Sequence, residues 1–147
     1  MSVVPPVTLS PAARALLDGA NFGHLATLQE DGSPKVEPVW IGRDGDRLLV
    51  ATDAKSIKAR NVDHDPRVAL SVTAFDDPYD QLLVRGTVTE VRADDDLAVL
   101  DDLSQRYLGT EFPRRRWSSR IVLVITPTLA RHHRSPLRDP RTPTTEG

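Results

Sequence analysis

Two Asp-Gly pairs, Asp31-Gly32 and Asp44-Gly45, constrain this chain more than any other feature. Asp-Gly tolerates positive φ, so each pair signals a tight hairpin between strand-like runs. Three such runs surround the pairs: Phe22 to Leu28, Val36 to Ile41 and Leu48 to Thr52. They predict a three-stranded antiparallel meander near the amino end.

The remaining pattern builds around that sheet. Ser10-Pro11 reads as a cap and first turn of a short helix that stops at Gly19. Ser56 to Asp65 has helical spacing and ends at Asp65-Pro66, because a residue before proline is pushed out of the helical region. Arg67 to Thr73 and Gln81 to Arg92 read as strands, the second with Gly86 marking a bulge or bend. Asp94, Asp95 and Asp96 place negative charge at the start of a helix whose buried stripe is Leu97, Leu100, Leu103 and Tyr107, with Gly109 as its stop. Ile121 to Ile125 is an apolar strand, and Pro127 predicts a turn into Leu129 to His133. The expected fold is α+β, with about six mainly antiparallel strands and flanking helices curling into a barrel. Residues 1–134 are expected to form one domain, and 135–147 an extended or disordered Pro/Thr/Arg-rich tail.

Composition narrows the function. A net charge of −2 argues against the nucleic-acid backbone as the main partner. Absence of cysteine removes disulfides, thiolate metal sites and Cys nucleophiles. No run approaches a membrane span, and Met1 to Leu9 lacks the character of a secretion signal, so a cytoplasmic location without membrane contact is expected. No nucleophile elbow and no Gly-rich phosphate loop is present. Asp94 to Asp96 reads as a helix cap and not a metal site, and His132 and His133, adjacent on a strand, point to opposite faces.

One constellation does suggest chemistry. Leu48 to Thr52 is followed by Ser56, Lys58 and Arg60 at the start of the next helix. A strand that ends in a hydroxyl, then a helix whose first turns present free amides and a lysine, is a sound way to hold a phosphate. The competing reading makes Lys58 and Arg60 solvated helix residues.

Taken in order, Gly23-His24-Leu25-Ala26-Thr27-Leu28, Asp31-Gly32-Ser33-Pro34, Pro38-Val39-Trp40-Ile41, Leu48 to Thr52, Lys58-Ala59-Arg60-Asn61 and Asp65-Pro66-Arg67-Val68 resemble the split β-barrel flavin and deazaflavin oxidoreductases, the group that holds the pyridoxamine-phosphate oxidases. The Pro38-Val39-Trp40 element is most similar to the branch that uses coenzyme F420. The resemblance implies a homodimer with an 8-hydroxy-5-deazaflavin at the subunit interface, its phosphate near Lys58 and Thr52, and its ring against the strand bearing Val39, Trp40 and Ile41. Ser56 falls where some relatives carry a further basic residue, and Arg60 belongs to the same helix. Trp40 is either a cofactor wall or a core residue. Tyr79 falls where some relatives place an aromatic over the substrate side of the ring, and Arg120 precedes the last buried strand within reach of the cofactor. Arg114 to Arg116 are candidates to attract the acidic tail of F420. The implied reaction is hydride transfer from reduced deazaflavin to a conjugated small-molecule acceptor. FMN on the same fold, or a non-catalytic flavin- or tetrapyrrole-binding protein, are the alternatives. The proton donor and the substrate stay open.

Overall fold

A computed structural model describes Pro5, residues 7–113 and 119–137, Pro140 and Arg141. Arg114 to Arg116 and most of the tail lie outside the described residues.

Among the described residues three helices and seven strands follow one another as α1 (Pro11–Asp18), β1 (Gly23–Leu28), β2 (Pro34–Val39), β3 (Gly42–Asp44), β4 (Arg47–Asp53), α2 (Ile57–His64), β5 (Arg67–Ala74), β6 (Asp77–Ala93), α3 (Ala98–Leu108) and β7 (Arg120–Arg134). Every pairing in the sheet is antiparallel, and its order is β2-β1-β5-β6-β7-β4-β3. The count is seven where about six were expected: a short β3 is added, and the runs Ile121 to Ile125 and Leu129 to His133 join in the single strand β7.

The expected meander does not form. β1 and β2 make one hairpin and β3 and β4 another, but β2 and β3 are the opposite edges of the sheet. The chain passes between these edges through Trp40 and Ile41 alone. A trans chain advances only about 3.3–3.6 Å per residue, so the sheet must curl until its edges nearly meet. That is the split barrel. Alternation in sequence identifies a strand but not its partner, and here the partner of β4 is β7, with Thr52 opposite Ile121.

Pro127 does not turn the chain either. It lies inside β7, opposite Gly86 of β6, where the register shifts. Proline needs no acceptor for a missing N–H, and its carbonyl accepts from Val7 N at 3.2 Å. The bend expected at Gly86 is present, shared between both long strands.

The interior is filled by Leu25, Leu48, Val50, Leu70, Leu82, Val84, Leu123 and Ile125, with Ala13, Leu16 and Leu17 of α1 joining the same cluster. Ser10 caps α1, accepting from Ala13 N. On the outer side, Leu49, Val122 and Val124 pack with Val99 of α3. Asp94 caps α3 as expected, but from a distance: it is buried and its carboxylate accepts from Val99 N and Leu100 N, while Leu97 adopts a left-handed conformation before the helix begins. No helix among the described residues is long and apolar enough to cross a membrane.

Candidate functional site

The helix α2 is fixed to the sheet by a buried polar bond. Asn61 Nδ2 donates to Thr27 Oγ1 at 3.0 Å, and both side chains are almost fully buried. This clamp holds α2 beside β1 and sets where its side chains fall. At about 100° per residue, Ser56, Arg60 and Asp63 share one flank and Lys58 lies on another.

At the β4–α2 junction the hydroxyls form a relay. Thr52 Oγ1 donates to Ser56 Oγ at 3.0 Å, and Ser56 Oγ also accepts from Ala59 N at 3.2 Å. A hydroxyl that accepts twice keeps its own proton to donate. The amides of Ile57 and Lys58, in the first helical turn, have no intrahelical acceptor by position. The hydroxyl and these amides suit an anionic oxygen ligand such as a phosphate.

Lys58 reaches toward β2. Its Nζ lies 3.4 Å from Glu37 Oε2, and Lys35 Nζ lies 2.9 Å from Glu37 Oε1. One carboxylate is therefore held between two ammonium groups. Burial opposes the charge on Glu37, but the hydrogen bonds and charges of Lys35 and Lys58 together outweigh it, and the carboxyl is held below its ordinary value. A depressed carboxylate stabilises the fold in full above its ordinary pKa of 4.5 and loses that contribution as pH falls through the lower folded value. The stability difference between the wild type and Glu37→Gln is accordingly expected to be constant from about pH 8 to pH 5 and to shrink only below that, given ordinary carboxylate titration. Urea midpoints of both proteins across pH check this; a difference that already shrinks between neutral pH and pH 5 would contradict it.

On the other flank of α2 an open groove of about 840 Å³ runs against β6 and β7, with Lys55, Ser56, Arg60, Val88, Glu90 and Ile121 among its lining residues. Lys58 does not line it. The structure thus gathers Thr52, Ser56, Lys58 and Arg60 around one junction but divides them between two flanks.

The other sequence candidates lie elsewhere. Val39 and Ile41 are buried in the core, so they offer only backbone to a ligand. Trp40 is half-buried and stacks on Tyr107 with ring centroids 5.3 Å apart, and Phe112 meets it edge-on. Arg120 is buried with its guanidinium over the Phe112 ring. It pairs in register with Asp53, one residue along from Thr52, and so occupies the opposite face of the sheet. Trp40 and Arg120 therefore form a second group, closed by Tyr107, whose hydroxyl donates to Asn21 O and accepts from Ile41 N. Tyr79 lies away from the Thr52 junction. It sits where β6 runs beside Arg134, whereas Thr52 faces Ile121 at the other end of β7.

Sequence reasoning missed Glu37 and Lys35. The signal was the alternation of β2: Lys35 and Glu37 stand opposite Thr27 and Leu25, whose side chains point inward.

The sheet order and the two edges joined by two residues define a split-barrel fold. The profile of the family described as Pyridoxamine 5'-phosphate oxidase matches residues 9–134, and the chain belongs to that family. Among solved structures, an F420 reductase is 36% identical, with a TM-score of 0.75, covering 84% of this chain and 98% of its own. A conserved hypothetical protein of Mycobacterium tuberculosis is 21% identical, with a TM-score of 0.70 over 88% of this chain and 86% of its own. General Stress Protein 26 of Bacillus anthracis is 21% identical, with a TM-score of 0.63 over 85% of this chain and 94% of its own. The last two are likenesses of fold.

Proposed function

We propose that the protein is an F420-dependent oxidoreductase that holds the phosphate of its cofactor at Lys58. The observation that carries this reading is the likeness to an F420 reductase over nearly the whole of that protein, joined to a junction whose donors suit a phosphate. When bound, a reduced deazaflavin supplies a hydride to a conjugated acceptor. The chain's part is to bind and orient: Lys58 contributes a point charge, Ser56 a free hydroxyl proton, and α2 its first-turn amides.

The reading includes a homodimer. The outer face of five strands carries two cross-strand rows, Val36-Ala26-Ala69-Arg85-Leu129 and Pro38-His24-Ser71-Leu83-Arg131. Val36 is 66% exposed and Leu83 43%, and a second copy would cover this apolar surface. A mass corresponding to the monomer in light scattering at micromolar concentration would contradict the dimer.

Function is tested by binding and turnover together. Lys58→Ala is expected to weaken F420 binding about tenfold or more, the usual scale for a charge-assisted phosphate contact. The wild type is expected to restore the visible absorbance of oxidised F420 when reduced F420 is offered with conjugated enones or quinones. A protein purified with tightly held FMN, and indifferent to F420, would favour the FMN alternative. Tight binding with no hydride transfer to any acceptor would favour a carrier.

A further inference from the structure

A carboxylate beside a phosphate-binding lysine is unexpected, since it repels the ligand that the lysine attracts. Glu37 nevertheless touches Lys58 and Lys35 at once, and the three side chains are only 14%, 27% and 28% exposed for Lys58, Glu37 and Lys35. Two ammonium groups and one carboxylate give this cluster a net charge of +1. Its other polar neighbours, Thr27 and Asn61, are neutral and bonded to each other. Arg60 lines the groove on the far flank of α2, which Lys58 does not.

We propose that Glu37 selects the cofactor by the charge of its phosphate. This rests on the assignment of the cofactor phosphate to Lys58. A cluster of net charge +1 complements a phosphodiester, which carries one negative charge, as the phosphate of F420 does between the deazaflavin side chain and its acidic tail. FMN ends in a phosphomonoester, which carries a charge near −2 at neutral pH because its second pKa is about 6. A phosphate in contact with Lys58 stands close to Glu37, and in this partly buried position the repulsion is only partly screened. The carboxylate repels each unit of ligand charge, so the monoester suffers twice. Glu37 is thus a specificity-determining residue for the diester.

Three ligands are titrated against three proteins by equilibrium binding: F420, FMN and riboflavin against the wild type, Glu37→Gln and Lys58→Ala. With Glu37→Gln, FMN affinity is expected to rise about tenfold, F420 affinity about threefold, and riboflavin affinity to stay unchanged, the ratio following ligand charge. Glu37→Ser removes the same charge with a different shape and is expected to reproduce that ratio; urea midpoints confirm that each variant is folded. Equal effects on FMN and F420, or none on either, while Lys58→Ala still weakens both, would overturn the role of Glu37 and leave the phosphate site standing. If Lys58→Ala changes no affinity, the phosphate assignment fails, and this inference fails with it.

Discussion

Gly86→Ala is expected to destabilise the protein by about 3 kcal/mol or more, enough to threaten folding of a domain of ordinary stability. Gly86 is buried in β6, opposite Pro127 of β7 at a register shift. A Cβ there would collide with the carbonyl oxygen of Thr126 and approach the Cα of Pro127 to 3.0 Å. These atoms are backbone and cannot rotate away. Relief would require β6 and β7 to separate where the barrel bends, and the sheet depends on that pairing, since β7 alone connects the β3–β4 hairpin to the remaining strands. Urea unfolding checks the expectation: the midpoint should fall sharply, or soluble protein should be lost. An unchanged midpoint would show that the close approach of the two strands is not as described.

Asp94→Ala is the second large effect, expected at roughly 2–4 kcal/mol, because a charged acceptor is removed and buried donors lose their partner. The Asp94 side chain is 3% exposed and takes Val99 N at 3.1 Å and Leu100 N at 3.0 Å. Its own amide donates to Arg120 O at 2.9 Å, so the residue ties α3 to the beginning of β7. Losing it leaves amides near α3 unsatisfied in a buried position. Asp94→Asn keeps one oxygen acceptor and should recover about half of the loss. Thermal unfolding of the two variants separates these outcomes. Equal midpoints for Asp94→Ala and the wild type would mean that α3 needs no such cap.

These two positions show what the sequence discloses and what it hides. Gly86 announces a bend through its residue type, and Asp94 announces a helix start through its charge. Neither discloses its partner. The backbone of Thr126 and Pro127 excludes a side chain at Gly86, and a left-handed Leu97 displaces Asp94 from the ordinary cap position. The same distinction explains the meander that does not form. Strand-like residues beside the two Asp-Gly turns identified β1, β2 and β4, but a passage of two residues from one sheet edge to the other leaves no local trace. Pro127 reads as a turn only while Gly86 is considered separately.

The candidate site was legible to a similar degree. Thr52, Ser56 and Lys58 were identifiable because a strand-end hydroxyl and a helix start are close in sequence. Glu37 was not, because it meets Lys58 only after β2 folds beside β1 and Asn61 clamps α2 to Thr27. Trp40 and Arg120 share a place with Phe112 through tertiary packing that periodicity does not encode.

The two flanks of α2 give the central claim its most direct test: a crystal structure of the protein with F420 bound. The phosphate should lie within hydrogen-bonding reach of Lys58 Nζ, between α2 and β2, with the Lys58–Glu37 contact opened. A phosphate in the groove beside Lys55 and Arg60, with Lys58 still against Glu37, would contradict the account.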